Sequence, residues 1–404
     1  MRPLPFPEVR FPSFLLRLAG LLAAVVLAGN ASAQAPILSA RSWLLLDAMS
    51  GVPLASYEPD RPLQPASLAK LMTAYVVFIA LNEQRIGLED RVTVSPAAFA
   101  APGRDGARMF IEPGVPVTVA DLLRGLIVSS GNDAAVALAE HTAGTQAAFV
   151  ERMNAEARRL GLAHTHFANP TGLADPQQYS TARDLARLAR RLRSDFPQHA
   201  ALFREREFTY NHIPQSSHNR LLWSDPSVDG MKTGHHDASG WSIVASATRP
   251  RGSAGNVYDR SLIAVVLGAP SEGVRAQEAL RLLNYGFTEY DTVRVFRGGQ
   301  VLSRAEVLKG DRAELPIGPE ADVFVTLPAA DLQQPPEGAL RTAIERPDPL
   351  LAPLTKGETV GRLKVSLAGQ VRADVPVVAL ASVQPAGLFG RAYDAVRLWW
   401  RRRD

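Results

Sequence analysis

The sequence predicts an α+β chain. An antiparallel sheet is interrupted by a large helical region, and a small all-β sandwich domain and a C-terminal amphipathic helix follow. Three observations carry this expectation. β-Favouring runs near residues 42–57 and 241–267 bracket several stretches of helical periodicity. After Asp291 that periodicity disappears, and short β runs alternate with Gly and Pro turns. After Pro385 apolar residues return at helical spacing.

Residues 1–33 read as an export signal. Arg2, Arg10 and Arg17 precede the apolar run Leu18–Ala28, and Ala31-Ser32-Ala33 is a small-x-small cleavage site before Gln34. The run is short for a bilayer span. The next domain, 34–289, opens with two strands, Ser42–Asp47 and Val52–Tyr57, around the turn Met49-Ser50-Gly51. A helix starts near Ala66–Ser67, with Leu68, Leu71, Met72, Tyr75, Val76 and Ile79 at helical spacing. Further helices are expected at Ala120–Val128, Asp133–His141, Gln146–Leu160 and Thr181–Leu192. Strands follow at Trp241–Ala247 and Leu262–Leu267, then a helix over Glu272–Tyr285.

The all-β domain, 290–384, shows the runs Thr292–Phe296, Val323–Leu327, Ala339–Ile344, Val360–Leu367 and Val375–Ala379. In the last segment, 385–404, Leu388, Ala392, Ala395, Val396 and Trp399 share a helical face, flanked by Phe389 and Trp400. Arg391, Asp394, Arg397 and Arg401 lie opposite, and Arg402 and Arg403 extend the basic end. Such a helix suits either a membrane headgroup layer or the protein's own core. Trp399-Trp400 beside arginines favours the membrane surface, through residues 386–404.

Lys+Arg number 44 against 40 Asp+Glu, a net charge of +4. The excess sits at the ends: residues 1–33 carry +2 and residues 385–404 carry +3, which leaves −1 for the body. That body gives no support for nucleic-acid binding. With no cysteine, disulfides, thiolate metal sites and cysteine catalysis are excluded.

Lysine is scarce: only Lys70, Lys232, Lys309, Lys356 and Lys364 among 44 bases. Arginine keeps its proton, whereas a buried lysine can give its proton up and act as a base. Lys70 lies three residues after Ser67 at the start of an apolar helix, which puts both side chains on one face. A serine hydroxyl becomes a competent nucleophile when a neighbouring amine takes its proton. Lys232 heads Lys232-Thr233-Gly234-His235, before the strand Trp241–Ala247. A cation and a hydroxyl there suit a carboxylate, and Gly234 permits close backbone approach. Between these sites, Ser129-Ser130-Gly131-Asn132 joins two helices. Ser130 is a candidate proton relay and Asn132 a candidate amide-binding group, and a helix cap accounts for either equally well. His235-His236 make a poor metal pair, because neighbours on a strand point apart, so no metal or cofactor is expected.

Ser-x-x-Lys, Ser-x-Asn and Lys-Thr-Gly in that order form a highly specific set. The chain resembles the D-alanyl-D-alanine carboxypeptidases, low-molecular-mass penicillin-binding proteins of the penicillin-binding protein 5/6 type, with a β-lactamase/transpeptidase-like fold. Arg108-Met109-Phe110, Leu122-Leu123-Arg124-Gly125, Asn169-Pro170-Thr171-Gly172-Leu173, Tyr179-Ser180-Thr181-Ala182-Arg183-Asp184 and Asp229-Gly230 read like that family too. The resemblance implies a serine-type D-Ala-D-Ala carboxypeptidase. Ser67 is then the nucleophile, Lys70 its base and Ser130 the proton donor to the departing D-alanine. Asn132 binds the peptide, and Lys232 and Thr233 hold the terminal carboxylate. The backbone N–H groups of Ser67 and His235, next to Gly234, form the oxyanion hole. Implied partners are peptidoglycan pentapeptides ending in D-Ala-D-Ala, β-lactam antibiotics as inhibitors, and the periplasmic face of the bacterial inner membrane.

One departure stands out. Relatives often carry an arginine where this chain has His218, which leaves Arg220 or another residue to complete the carboxylate pocket. Competing readings are a class A-like β-lactamase, a D,D-endopeptidase and a non-catalytic peptidoglycan-binding scaffold. The lactamase needs a glutamate between the second and third motifs, and Gly161–Arg187 holds only the acids Asp175 and Asp184. The intact Ser67, Lys70, Ser130 and Lys232 oppose the scaffold.

Overall fold

The computed structural model describes residues 35–252, 257–333, 340–367 and 369–401. The expected export segment 1–33, Ala339 at the head of one expected strand, and Arg402 and Arg403 lie outside them. The chain divides into two compact units, broken between Glu289 and Tyr290.

The first unit is built on a five-stranded antiparallel sheet. Its N-terminal strands are β1 (Ser42–Asp47) and β2 (Pro53–Tyr57). Helix α1 (Lys70–Asn82) follows, led in by a 3₁₀ turn over Ala66–Ala69. A small hairpin, β3 (Arg91–Thr93) and β4 (Pro116–Thr118), encloses α2 (Pro96–Ala100). The helical region continues with α3 (Val119–Ile127), α4 (Asn132–Ala143), α5 (Gln146–Arg159) and α6 (Ala182–Asp195). A second hairpin, β5 (Glu207–Tyr210) and β6 (Ile213–Ser216), and the short α7 (Leu221–Ser224) lead back to the sheet. Its remaining strands are β7 (Val228–His236), β8 (Gly240–Arg251) and β9 (Tyr258–Ala269), and α8 (Glu272–Glu289) closes the unit. The strand order is β2-β1-β9-β8-β7, so β7 forms an edge.

Helix α1 is apolar around most of its circumference, and such a helix must be buried on all sides. Leu71, Met72, Tyr75, Val76 and Phe78 accordingly sit in one core with Leu122 and Leu126 of α3, Leu138 of α4, and Val265 of the sheet. Threonines cap three of the helices. The side chains of Thr118, Thr145 and Thr181 accept from Asp121, Ala148 and Asp184 backbone N–H groups at the starts of α3, α5 and α6.

Among its described residues the second unit is all-β apart from two helices. A two-stranded ladder pairs β10 (Tyr290–Phe296) with β13 (Val323–Pro328). A larger sheet runs β14-β16-β17-β12-β11-β15, built from β11 (Ser303–Leu308), β12 (Glu314–Gly318), β14 (Arg341–Glu345), β15 (Leu350–Leu351), β16 (Thr359–Leu367) and β17 (Gln370–Ala379). Val323, Val325 and Leu327 share one core with Leu315, Leu363, Val365 and Val377, so both sheets enclose it. Helix α9 (Ala329–Gln333) is short, and α10 (Leu388–Arg401) ends the described chain. Strands β5, β6, β11 and β12 escape the sequence pattern. They are short, and Pro214, Pro316 and Gly318 interrupt their alternation.

Candidate active site

The Ser67–Lys70 spacing brings the two side chains into contact: Lys70 Nζ donates to Ser67 Oγ at 3.1 Å. The same nitrogen donates to Asn132 Oδ1 at 2.7 Å and to the Thr171 carbonyl at 2.6 Å. Lys70 is 1% exposed. Burial, reinforced by the charge of Lys232, pushes its pKa well below the ordinary lysine range, and Asp133 opposes that shift. Burial thus disfavours the charged form, while the three hydrogen bonds fix the nitrogen beside the hydroxyl.

The backbone around Ser67 is strained. Ala66 has φ +50°, a conformation that costs a side-chain-bearing residue on the order of 1 kcal/mol or more. Two glycines then let other backbone close in. A Cβ on Gly234 would lie 3.2 Å from the Ser67 nitrogen, and one on Gly172 (φ +85°) would collide with the Ala66 carbonyl. Gly172 is held by an Asx turn in which Asn169 Oδ1 accepts from the Thr171 and Gly172 N–H groups at 3.2 and 2.8 Å. That turn aims the Thr171 carbonyl at Lys70.

Ser130 and Asn132 enter from the turn between α3 and α4. Ser130 also has a left-handed backbone (φ +61°) and is 2% exposed. Among the described residues it is not a partner of Lys70. The Asn132 N–H donates to the Ala107 carbonyl at 2.8 Å, which ties this turn to the loop over residues 102–110. Asp133 tightens the tie: its carboxylate accepts from the Met109 and Phe110 N–H groups at 2.9 and 3.0 Å.

Edge strand β7 carries Lys232, Thr233, Gly234 and His235, so the Lys-Thr-Gly motif lies within a strand rather than ahead of one. Lys232 is 3% exposed, and the one hydrogen bond of its side chain among the described residues is a long one, 3.4 Å from Nζ to the Thr233 carbonyl. Burial, then the neighbouring Arg275, pushes its pKa down to about 7. The His235 ring stacks on Trp241 at 4.0 Å. His236 Nδ1 accepts from the Ala238 N–H at 3.2 Å. Among the described residues no group of three or more His, Cys, Asp or Glu is arranged to hold a metal ion.

These groups meet at a cleft of about 330 Å³ whose wall includes Ser67, Ser130, Asn132, Thr233, Gly234 and His235. The two lysines lie behind that wall. His218 is on it, its ring partly open to solvent. The surrounding protein, with Lys232 and Arg275, nevertheless depresses its pKa to about 4, so it is neutral at pH 7. Arg220, the expected substitute for a cation at 218, is exposed and does not line the cleft. The sequence reading assigned no role to Thr171, Gly172, Asp133 or Arg275. The turn-forming Asn169-Pro170-Thr171-Gly172 was a signal for the first two, and nothing local marked the others.

A hydroxyl touching a desolvated amine, with a second amine held nearby, defines a serine acyl-transfer enzyme of the Ser-x-x-Lys kind. Comparison with known proteins names the family. Residues 29–271 match the D-alanyl-D-alanine carboxypeptidase family, and residues 290–385 match the penicillin-binding protein 5 C-terminal domain. The chain is 40% identical over 383 residues to the D-alanyl-D-alanine carboxypeptidase DacC of Escherichia coli, covering 94% of this chain and 92% of the relative. Penicillin-binding protein 5 from Haemophilus influenzae superposes with a TM-score of 0.75 at 38% identity, over 87% of this chain and 99% of that one. Penicillin-binding protein D2 from Listeria monocytogenes, solved in an ampicillin-bound form, matches 63% of this chain and 99% of its own, with a TM-score of 0.55 and 27% identity. The chain belongs to the D-alanyl-D-alanine carboxypeptidase family, the penicillin-binding serine peptidases of cell-wall remodelling.

Proposed function

We propose that this chain removes the terminal D-alanine from peptidoglycan pentapeptide stems through an acyl-enzyme on Ser67. The observation that carries this reading is the 3.1 Å contact between Ser67 Oγ and a fully buried Lys70 amine. Lys70 takes the hydroxyl proton as Oγ attacks the carbonyl of the penultimate D-alanine. The resulting oxyanion is received by the Ser67 and His235 N–H groups, whose approach Gly172 and Gly234 permit. The C–N bond then breaks, Ser130 passes a proton to the departing D-alanine amine, and an ester remains on Ser67. Water adds to that ester with Lys70 as base, which releases the shortened peptide and restores the hydroxyl. Thr233 and Lys232 hold the terminal carboxylate, and the Asn132 amide holds the peptide. β-Lactams enter as analogues of the D-Ala-D-Ala end and stay on Ser67 as a slowly hydrolysed acyl-enzyme.

A lactamase reading is disfavoured by the acids between the second and third motifs. Asp184 is occupied by the Thr165 hydroxyl and the His164 N–H, Asp175 by the Gln177 N–H, and neither lines the cleft. Mass spectrometry with peptide mapping after penicillin treatment tests the assignment: one adduct on Ser67 is expected, and an adduct elsewhere removes Ser67 as nucleophile.

The protein is read as exported through residues 1–33 and seated on the periplasmic face of the inner membrane through residues 386–404. Helix α10 supports the seat. Its polar edge faces its own unit, where Asp394 accepts from the Lys309 N–H at 2.6 Å and Arg397 and Arg401 each reach Glu306 at 2.9 Å. Leu388, Phe389, Tyr393, Val396 and Trp400 are left exposed. No helix among the described residues is long and apolar enough to cross a membrane. Deleting 386–404 is expected to move the protein to the soluble fraction with activity intact, and unchanged membrane association refutes the seat.

A further inference from the structure

A second cavity, of about 510 Å³, opens beside the catalytic cleft. Asp105, Gly106, Ala107 and His218 line both, so the loop over residues 102–110 forms most of the wall they share. That loop is pinned to the turn that carries Asn132. The Asn132 N–H holds it at the Ala107 carbonyl, and Gly106 lies closer still. A Cβ there would collide with the Pro102 carbonyl and come within 2.9 Å of Asn132 Nδ2. Gln215 of β6 braces the other side, where its Nε2 donates to the Met109 carbonyl at 3.1 Å. In the proposed mechanism the Asn132 amide holds the acyl part of the substrate. Asp105, one residue from Gly106, therefore stands beside that part.

The cavity carries charges of both signs. Arg104 and Asp105 are exposed, and among the described residues neither side chain has a hydrogen bond or an ion pair. Arg108 is fixed, because its Nη2 donates to the Gly103 and Arg104 carbonyls at 2.7 and 3.0 Å. With His218 neutral at pH 7, the lining holds two cations and one anion. Phe110, 43% exposed, adds an apolar surface, and Gln215, 8% exposed, keeps an Oε1 without a partner. A side chain ending in an ammonium alone would meet a net positive lining. One ending in both an ammonium and a carboxylate gives each charge an opposite neighbour.

We propose that this cavity is the subsite for the third residue of the stem, the one directly before the acylated D-alanine, and that it selects a diaminodicarboxylic side chain. The distal carboxylate meets Arg104 and Arg108, the distal ammonium meets Asp105, and the methylenes lie on Phe110. This rests on the carboxypeptidase reading and names the substrate class within it. Arg104 and Asp105 set specificity and take no part in bond breaking.

The test uses four N-acetyl-X-D-Ala-D-Ala peptides, in which X is meso-diaminopimelate, its side-chain carboxamide, lysine or norleucine. For each protein kcat/KM is divided by the rate of penicillin acylation, so that a disturbed Ser67 cancels. Wild-type protein is expected to prefer the diaminopimelate peptide to the carboxamide and to lysine by about three- to tenfold. Arg104→Gln should bring that preference close to one, and Arg104→Glu should turn it toward lysine and the carboxamide. Asp105→Asn should lower the three ammonium-bearing peptides by about three- to tenfold relative to norleucine. A wild-type protein that favours lysine or does not discriminate would overturn the proposal. So would a preference that survives Arg104→Glu, or an equal loss on all four peptides in Asp105→Asn. Failure of the underlying reading looks different: penicillin acylates Ser67 but no peptide releases D-alanine, and the subsite then falls with it.

Discussion

Lysine does opposite work in the two units. Lys70 and Lys232 of the first are buried, and burial drives both pKa values down. In the second unit Lys356 is exposed, and Lys364 donates to Glu345 at 2.8 Å, a contact that raises its pKa. One unit removes water from an amine and makes it willing to lose its proton. The other leaves the amine solvated, so it stays a cation, and an exposed pair of that kind contributes little to stability. In a chain that otherwise uses arginine, both lysines of the first unit stand where burial makes the charge conditional.

The largest effect expected from breaking this contrast is at Lys70. Lys70→Arg leaves a group that cannot act as a base, so the rate of fluorescent-penicillin labelling should fall by about 10³-fold or more. Lys364→Arg should leave the rate unchanged. Comparable rates for both variants would make the two regions equivalent after all.

Glycines sharpen the same comparison. Gly172 and Gly357 share a left-handed backbone, at φ +85° and +88°, but a Cβ at Gly357 meets nothing within 4 Å, while one at Gly172 meets the Ala66 carbonyl. Gly357→Ala is expected to cost about 1 kcal/mol from strain alone. Gly172→Ala should cost about 3 kcal/mol or more and displace Ser67. Denaturant midpoints read both, and equal costs would mean that the Ser67 backbone is not clamped.

The smallest effect is a shape in pH. In the proposed mechanism carboxylate binding uses the Lys232 ammonium, and with a pKa of about 7 the free protein loses that charge as pH rises through 7. On that side kcat/KM should fall by about tenfold per pH unit. A bound carboxylate stabilises the ammonium, so the corresponding limb of kcat lies at higher pH. The acid limb has the opposite sign: Lys70 must be neutral, and activity rises with pH through its lowered pKa. The limbs belong to the coupled pair rather than to either lysine alone. Lys364→Met should not move them, and an alkaline limb of kcat/KM near 10 contradicts the burial argument.

Much of the site was legible where chemistry is written in side-chain type at fixed spacing. One helical turn separates Ser67 from Lys70, and the rarity of lysine marked both Lys70 and Lys232. What stayed hidden is carried by backbone and by distance along the chain. No sequence pattern announces a left-handed Ala66 or Ser130, because ordinary residues adopt that conformation only when their surroundings enforce it. The Thr171 carbonyl is a hydrogen-bond partner that any residue type could offer. Arg275 approaches His218 from 57 residues away, and Asp133 reaches Met109 across 24, so neither contact has a local signature. The fold shows the same division. Alternating strands such as β16 were readable, and short strands broken by proline or glycine were not.

The central claim is that burial, reinforced by the charge of Lys232, lowers the Lys70 pKa well below the ordinary lysine range. With five lysines in the chain, NMR of the ¹⁵N-labelled Nζ groups, assigned with Lys70→Arg, reads it directly. Lys70 is expected to be deprotonated well below the ordinary lysine value of about 10.4, while Lys364, held by Glu345, stays charged above it. A Lys70 that titrates together with Lys364, in protein that still acylates with penicillin at neutral pH, would contradict the account.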